Sequence, residues 1–426
     1  MNTRTELDSV NTLSLRRKAL VAAIAGTLVL AACGGDDDDS SSDTTEAAGA
    51  ASTAPAATET SDAGGAVTTE GETRSTEGSD STEVETTEGG SDGTSAPMEP
   101  VSGTLIGAGA SSQAAAMQGW QAGFQEANPD ATVEYDPVGS GGGRETFLAG
   151  GSDFAGSDAY MDDEEYASSV ERCAGDQGAI NLPHYISPIV VAYNLPDVAE
   201  LDLSPETLAG IFSGEITNWD AEEIAADNPD VELPDTNINP VHRSDESGTT
   251  QNFTQYLSAV APDVWTEEPS QEWPDVGGEG AQGTSGVVAA IRAGEGSVGY
   301  ADASQIGDLG AARVKVGEEF VEYSPEAAAK LVEVSTRVEG RSEYDLAFDL
   351  DRGTTEAGVY PITLVSYHIV CLQYDDQATA DLVKSFMAYV GSPEGQEAAA
   401  DAAGSAPLSA EIMEQVQAAV DQISAG

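Results

Sequence analysis

Residues 105–135 read LIGAGASSQAAAMQGWQAGFQEANPDATVEY, and this stretch sets the expected architecture of the chain. It begins with a short apolar strand that enters a glycine-rich loop. A helix follows, with Met117, Trp120 and Phe124 at spacings of three and four residues, and residues 132–135 then alternate as a second strand. A strand, a loop, a helix and a strand in this order predict a βαβ unit with parallel strands.

The same alternation of short strands and helices continues toward the C-terminus. Residues 188–193 are a continuous apolar run, as expected for a strand that is buried on both faces. We therefore expect an α/β protein with mainly parallel sheets, whose ligand is held by loops at the carboxyl ends of strands. Further helices are predicted at residues 206–212, 249–257, 284–292, 325–334, 376–390 and 409–423.

The charge of the chain limits its partners. It has 75 acidic residues against 16 basic ones, which gives a formal net charge of −59. Such a chain cannot neutralise a run of nucleic-acid phosphates or adhere to an anionic membrane through a basic patch. The acidity is typical of a solvated surface that keeps a protein soluble. Any anion that binds must therefore be held by local donors.

The N-terminus is typical of an export signal. Residues 16–18 are basic, and residues 19–31 are an apolar segment too short to span a bilayer. The segment ends in Leu30-Ala31-Ala32-Cys33, which resembles the lipobox of bacterial lipoproteins. That resemblance implies a signal peptide at residues 1–32 and a lipid on the Cys33 thiol, which would anchor the protein to the extracytoplasmic face of the cell membrane. The alternative is an ordinary signal peptide that contains a cysteine, and the two adjacent arginines leave a twin-arginine export route open.

Residues 33–100 have the composition of a disordered acidic linker. They are mostly Ser, Thr, Gly, Ala, Asp and Glu, without Phe, Trp or Tyr. Such a segment cannot bury enough apolar surface to offset its ordering entropy. The folded part is therefore expected to begin at residue 101, and we find no later segment apolar enough to cross a membrane.

Two cysteines remain beyond the lipobox. In an oxidising compartment Cys173 and Cys371 are expected to form a disulfide in preference to a metal site. A zinc site would need more ligands, and the three histidines, His184, His242 and His368, lie far apart in the sequence. We predict neither a metal nor a cofactor.

Three loops rich in small residues place a hydroxyl where a helix is predicted to begin. The N–H groups at a helix start are unpaired and carry partial positive charge, so they bind an anion without a full cation. One such loop is weak evidence, because any capped helix looks the same. Three of them, joined by an arginine and an aspartate, indicate a single anion site. The loops supply Ser111 and Ser112, then Ser140, and finally Ser247, Gly248 and Thr249.

Arg243 is one of few basic residues in this part of the chain, and Asp245 follows two residues later. A guanidinium group can donate two parallel hydrogen bonds to a tetrahedral oxyanion, and a neighbouring carboxylate can hold it in orientation. The alternative is an ordinary surface ion pair, which contributes little to stability.

Asp158 decides which anion is expected. A carboxylate inside an anion site is repulsive unless the anion has a proton to donate. Phosphate near neutral pH keeps at least one P–OH group, whereas sulfate has none, and sites built around such a donated hydrogen bond discriminate by roughly 10⁴–10⁵. The alternative role for Asp158 is a helix cap after Gly156-Ser157.

These motifs resemble those of the phosphate-binding proteins of bacterial phosphate ABC transporters, which have the two-lobed type II periplasmic-binding-protein fold. The resemblance covers about residues 102–425 and implies that a monomer captures phosphate and delivers it to a membrane permease. Lobe I would contain residues 101–188 and 365–426, and lobe II residues 189–364, with the ligand in the cleft between them. The segments that carry the resemblance are 107–110, 139–140, 153–158 and 247–249, supported by 216–220, 296–300 and 360–363.

The resemblance also implies a role for each residue of the site. Ser111 and Ser140 would donate through hydroxyl and backbone, Ser112 through its backbone alone, and Asp158 would accept the phosphate proton. Arg243 would bind ionically, and residues 247–249 would complete the cage. Both cysteines would lie in lobe I.

Two residues depart from the family pattern. Ser112 stands where relatives often have Phe, which matters little if only its N–H is used. Glu246 stands where a small residue is common, and we expect its side chain to point outward.

Other functions remain open at this point. Ser247, His242 and Asp245 could be taken for the triad of a phosphate-ester hydrolase, although their spacing lacks a nucleophile elbow and we see no metal ligands beside them. A binding protein for arsenate, an analogue of phosphate in shape and charge, is a closer alternative. Sulfate and molybdate fit poorly because neither is protonated near neutral pH. A purely structural lipoprotein would leave the convergent donors without a use.

Overall fold

The computed structural model describes residues 100–426. The predicted signal peptide, the lipidation candidate Cys33 and the predicted linker up to residue 99 lie outside these residues. Within residues 100–426, no helix combines the length and the apolar character needed to span a bilayer.

The strands of the described chain are mostly short and are numbered here in chain order. They are β1 Gly103–Gly109, β2 Ala131–Asp136, β3 Phe154–Ser157, β4 Ala179–Tyr193, β5 Asp202–Leu203, β6 Asn239–Arg243, β7 Glu279–Ala281, β8 Ser297–Asp302, β9 Gly310–Ala311, β10 Arg313–Val316, β11 Glu319–Val321, β12 Thr336–Arg337, β13 Phe348–Asp349, β14 Thr363–Cys371, β15 Gln373–Tyr374 and β16 Ser424–Ala425.

Helices follow most of the longer strands. They are α1 Ala114–Ala127, α2 Ser140–Leu148, α3 Asp163–Arg172, α4 Pro205–Ser213, α5 Glu222–Asp227, α6 Gly248–Val260, α7 Gly283–Ala293, α8 Pro325–Val334, α9 Gln377–Val390, α10 Pro393–Ala403 and α11 Ala410–Val420, and a 3₁₀ turn spans Ala303–Gln305.

One curled sheet organises the protein, with the strand order β2-β1-β3-β14-β4-β8-β6-β7 and β9 paired to β4. Strand β1 pairs in parallel with β2 and β3, and these three strands are called the first parallel group. Strand β6 pairs in parallel with β7 and β8, which form the second parallel group. The α/β fold predicted from the sequence is therefore confirmed.

Two long strands, β4 and β14, connect the parallel groups. They are antiparallel to each other. On their other sides, β14 pairs with β3 and β4 pairs with β8, and both of these pairings are also antiparallel. The first part of β4 pairs with β14, and its last part, from Ile189 to Tyr193, pairs with β8. The sheet is thus parallel in its outer groups and antiparallel at its centre. The predicted strand at residues 188–193 is the second half of this longer strand.

Helix α1 shows why the opening stretch folds as predicted. Met117, Trp120 and Phe124 form one face of the helix, and each is at most 1% exposed. The Phe124 ring packs edge-on against Phe386 of α9, with ring centroids 5.2 Å apart. The Trp120 indole N–H donates to the carbonyl of Gly395 in α10 at 2.8 Å, so the polar atom of this buried side chain is satisfied.

The predicted disulfide is confirmed. Cys173 at the end of α3 is bonded to Cys371 at the end of β14, with 5.4 Å between their Cα atoms. The bond closes a loop of 198 residues, so it restricts the unfolded chain strongly.

Two of the three histidines meet in the core although they are far apart in sequence. His184 of β4 and His368 of β14 have their Nδ1 atoms 2.9 Å apart. Burial, and for His184 also the neighbouring imidazole, lowers the pKa of both side chains, that of His368 to about 3. They are therefore neutral core residues at physiological pH. No cluster of three or more His, Cys, Asp or Glu side chains placed to hold a metal ion occurs among residues 100–426.

Candidate functional site

The carboxyl ends of all six parallel strands meet at one place, as open α/β sheets favour for ligand sites. In the first parallel group, β1, β2 and β3 lead to Ser111, Ser140 and Asp158. In the second group, β6 ends at Arg243, β7 leads to α7, and β8 leads to the 3₁₀ turn. The structure brings all the predicted anion-site residues into this region. They are Ser111, Ser112, Ser140, Asp158, Arg243, Ser247, Gly248 and Thr249, and each side chain among them is at most 8% exposed.

The first loop is shaped by a close approach between β1 and β3. Gly109 has a φ of 149°, and a Cβ atom there would lie 1.9 Å from the carbonyl oxygen of Gly156. The chain then turns so that Ser111 faces the start of α7. Its hydroxyl accepts a hydrogen bond from the Thr284 N–H at 3.0 Å and lies 3.1 Å from the Thr284 hydroxyl. Ser111 therefore lies between two helix starts, those of α1 and α7.

The second loop places the start of α2 against the segment that follows β6. Gly139 has a φ of 100°, and a Cβ atom there would lie 2.5 Å from Oδ2 of Asp245. A side chain at this position is therefore excluded twice, by the backbone conformation and by the lack of space. Ser140 follows as the first residue of the helix, and its hydroxyl accepts a hydrogen bond from the Asp158 N–H at 3.1 Å.

The third loop caps α6. The Ser247 hydroxyl accepts from the Thr250 N–H at 3.2 Å, as an N-cap does, which leaves its own proton available to a ligand. Gly248 touches the first parallel group: a Cβ atom there would lie 2.7 Å from the Ser140 hydroxyl and 2.8 Å from Cβ of Asp158. The absence of a side chain at residue 248 thus permits the two groups of loops to meet.

Asp158 lies at the centre of this meeting point. Its Oδ1 accepts from the Ser112 hydroxyl at 2.6 Å, and its Oδ2 accepts from the Thr249 hydroxyl at 2.8 Å. Each carboxylate oxygen keeps a second lone pair that can accept from a ligand. Beyond the backbone role that the family resemblance implies for Ser112, its hydroxyl therefore has a further use. Ser112, at the position where relatives often have Phe, therefore contributes a polar contact to Asp158.

Arg243 forms an ion pair with Asp245. Its Nε donates to Oδ1 of Asp245 at 2.8 Å, and its Nη2 donates to Oδ2. The Gly283 N–H at the start of α7 also donates to Asp245, at 3.0 Å. Burial raises the pKa of Asp245, but the hydrogen bond and charge of Arg243, with the Gly283 N–H, outweigh it and keep the pKa below its usual value. The pair therefore fixes the edge of the guanidinium group that carries Nε and Nη2.

The outward orientation of Glu246 stays a prediction. The residue is exposed, and its carboxylate lies against Gly141 at the start of α2, where a Cβ atom would be 2.3 Å from Oε2 of Glu246. Its carbonyl oxygen accepts from the Gly141 N–H at 3.2 Å, so its backbone contributes a contact between the two groups of loops.

The residues of the hypothetical hydrolase triad are not assembled. The His242 ring stacks on Trp273 with centroids 5.0 Å apart, and its Nδ1 lies 2.9 Å from the Arg243 carbonyl oxygen. The Ser247 hydroxyl is engaged with the backbone of α6, and within residues 100–426 no hydrogen bond joins it to His242. The arrangement is suited to donating hydrogen bonds and provides no activated nucleophile.

Four polar residues that no sequence motif indicates border the site. Thr284 contacts Ser111, Asn252 contacts the backbone of Asp158, Gln305 contacts the first loop, and Arg352 contacts Asn252. A cleft of about 670 Å³ runs from Asp158 past Asn252 to Arg352. Of these four, only Asn252 has a signal in the sequence: it lies one helical turn after Gly248, so it shares a face of the predicted helix with that residue.

The chain is similar to one known family and to several of its members. Residues 94–394 match the family model of the PBP superfamily domain. The phosphate-binding protein PstS 3 of Mycobacterium tuberculosis is 36% identical to the chain over 328 residues, which cover 75% of this chain and 87% of that protein. The phosphate-binding protein PstS of Xylella fastidiosa is 29% identical over 320 residues, which cover 74% of this chain and 84% of that protein.

Solved structures show the same fold. A high affinity periplasmic phosphate-binding protein with bound phosphate aligns with a TM-score of 0.59 and 23% identity, covering 74% of this chain and 93% of that one. A phosphate binding protein from Stenotrophomonas maltophilia aligns with a TM-score of 0.57 and 20% identity, covering 74% and 94%. The two-lobed α/β fold that was predicted from the sequence is therefore confirmed.

Proposed function

The chain belongs to the PBP superfamily and, within it, to the phosphate-binding proteins of phosphate ABC transporters, and on this basis we propose that it captures inorganic phosphate in the site described above. It would then deliver the phosphate to an ABC-type permease. The relatives are solute-binding proteins, so the chain is assigned to transport and not to catalysis.

One observation carries the assignment of the site. A buried carboxylate, Asp158, lies among hydroxyl donors and next to Ser140 at the start of α2. The start of a helix favours an anionic ligand, so a second negative charge there requires an explanation. Such a group fits only an anion that can donate a proton to it. Phosphate can do so at neutral pH and sulfate cannot, so selectivity against sulfate would rest on Asp158. Arsenate has the same protonation and shape, and it remains the second candidate ligand.

The roles of the other residues follow from their positions. Ser111, Ser112 and Ser140 would donate from the first parallel group, whose loops end at helix starts. Arg243 would supply the positive charge, oriented by Asp245, while Ser247, Gly248 and Thr249 would donate from the start of α6. Local donors of this kind can bind an anion although the chain carries a net charge of −59.

The lobe borders are proposed from the resemblance and supported by the strand pairing. Lobe I would contain residues 101–188 and 365–426, and lobe II residues 189–364. Pro188 pairs with Thr363 of β14, whereas the next residue, Ile189, pairs with Asp302 of β8, so the partner strand changes at the proposed border. A phosphate ion held by donors from both lobes would favour their closure through its contacts with each.

The binding test is equilibrium dialysis of the purified chain against radiolabelled phosphate, with unlabelled arsenate or sulfate as competitor. We expect saturable binding of one phosphate per chain, and we expect arsenate to displace it. A hundredfold excess of sulfate should not displace it, which means that the binding free energies of phosphate and sulfate differ by more than about 2.7 kcal/mol. Failure to retain phosphate, or equal displacement by sulfate, would count against the assignment.

The location of the protein is extracytoplasmic, as for its family, and we propose in addition that it acts as a monomer anchored by a lipid on Cys33. The basic residues 16–18, the apolar segment and the lipobox-like end of that segment support the anchor. Mass spectrometry of the membrane fraction should find a mature chain that begins at an acylated Cys33. The Cys33→Ser variant should appear in the soluble extracytoplasmic fraction. An unmodified cysteine in the mature wild-type chain would refute the anchor.

A further inference from the structure

Two side-chain amides reach from one parallel group to the loops of the other. Asn252 of α6 donates through Nδ2 to the carbonyl oxygen of Asp158 at 2.7 Å and to that of Gly248 at 2.8 Å. Gln305, in the 3₁₀ turn after β8, donates through Nε2 to the carbonyl oxygens of Ser111 at 2.9 Å and Ser112 at 3.3 Å. Both amides belong to the side of the second parallel group, and both reach carbonyl groups in loops of the first.

The acceptors of these hydrogen bonds matter for an anion site. A backbone carbonyl oxygen carries partial negative charge, so it repels an anion if it faces the ligand. Each amide donates to such an oxygen, which partly neutralises its negative charge. In the first loop, the Ser111 hydroxyl also contacts the start of α7, where it accepts from the Thr284 N–H.

The orientation of the Asn252 amide is fixed by Arg352. The Nη2 of Arg352 donates to Oδ1 of Asn252, so the amide nitrogen must face the two carbonyl oxygens. Arg352 is 4% exposed, and its Nη1 donates to the carbonyl oxygens of Pro361 and Thr363 at 3.1 and 3.0 Å. No ion pair joins it to an acidic side chain anywhere in residues 100–426.

Arg352 therefore connects the start of β14 with the Asn252 amide, which contacts Asp158. The start of β14 is where the chain passes between the parallel groups. Burial lowers the pKa of Arg352 to about 9, so the side chain keeps its proton at neutral pH. A charged donor strengthens its hydrogen bond to Asn252 and resists rotation of the amide.

We infer that Asn252 and Gln305 form a latch: they are positioning residues that hold the two groups of loops together around phosphate without touching it. The inference rests on the proposed function. Since the latch acts on backbone carbonyl groups, it stabilises the arrangement that encloses the ligand and is indifferent to which oxyanion is enclosed. Its loss should therefore speed the release of phosphate and arsenate equally.

The test compares Gln305→Ala, Asn252→Ala and the double variant with the wild-type chain by stopped-flow kinetics and equilibrium dialysis. Each single change should raise the phosphate Kd about threefold to tenfold, as expected for one or two hydrogen bonds, and the increase should lie in koff. The ratio of the Kd values for phosphate and arsenate should stay within twofold of the wild-type ratio. Small-angle scattering of the phosphate-free double variant should give a larger radius of gyration than that of the wild type.

Gln251→Ala is the matched control. Gln251 precedes Asn252 on α6 and lines the same cleft, but among the described residues its side chain makes no hydrogen bond to the first parallel group. It should leave the Kd unchanged. Gln305 is only partly buried, so Gln305→Ala tests the latch even if Asn252→Ala unfolds. An unchanged koff in Gln305→Ala would overturn the latch. So would a ratio of phosphate and arsenate Kd values that changes by as large a factor as the phosphate Kd itself. If the wild-type chain itself fails to bind phosphate, the proposed function fails instead.

Discussion

Asp158→Asn is expected to make sulfate a ligand of this chain. The asparagine keeps the size of the side chain, but its amide can donate to an unprotonated oxygen, so the position no longer demands a P–OH group. A site built around a donated hydrogen bond discriminates by roughly 10⁴–10⁵, and we expect the variant to lose at least about a hundredfold of that ratio. Competition of sulfate against radiolabelled phosphate measures it, with the Kd of each anion determined for both chains.

The matched control for this change is Asp136→Asn. Asp136 is the last residue of β2 and is exposed. Its replacement by Asn removes the same unit of negative charge, but outside the proposed site. It should leave the ratio of sulfate to phosphate Kd values unchanged, which separates proton recognition from a general effect of charge. Sulfate binding that stays undetectable in Asp158→Asn would show that selectivity lies elsewhere.

Arg243→Ala is expected to cause the largest loss of phosphate affinity. The guanidinium group is 2% exposed, so its charge acts with little screening, and its loss leaves Asp245 as an uncompensated carboxylate beside the anion. Truncation of one partner in a buried charge pair costs about 2–5 kcal/mol, which corresponds to a rise in Kd of roughly 30-fold to 5,000-fold. Calorimetric titration of the variant with phosphate measures this rise.

Two further variants define the cause of that loss. Arg243→Ala combined with Asp245→Ala should bind phosphate more tightly than Arg243→Ala alone, because the second change removes the repulsive carboxylate. Arg292→Ala removes an exposed arginine that pairs with Asp308 at 3.2 Å on the surface, and it should change the Kd by less than twofold. Near wild-type affinity in Arg243→Ala would contradict the place given to this residue.

The sequence predicted the parts of the site that belong to loops. Ser111, Ser140 and Ser247 each stand at or just before a helix start among small residues, and this pattern is local, so it is visible without the fold. The pairing of Arg243 with Asp245 was likewise predictable from their spacing. Helix α3 was missed although Asp162 and Glu165 form a capping box, which was a usable signal.

Other features depend on contacts between distant parts of the chain. Asn252 and Gln305 are single amides without a motif, and only the packing of the two parallel groups gives them a role. The first half of β4 was not predicted, because Pro183 and His184 interrupt its apolar pattern, and its pairing with β14 decides the conformation instead. The antiparallel centre of the sheet follows from the same pairing of β4 with β14, which no local sequence pattern predicts.

Phosphate selectivity through Asp158 is the central claim, and calorimetric titration of the ligand-stripped chain with phosphate and then with sulfate, from pH 5 to pH 8, tests it most directly. We expect phosphate to bind one per chain across this range, because both its mono- and dianion carry a P–OH group, and sulfate to give no heat of binding. Sulfate binding comparable to that of phosphate, or the absence of phosphate binding, would contradict the role given to Asp158.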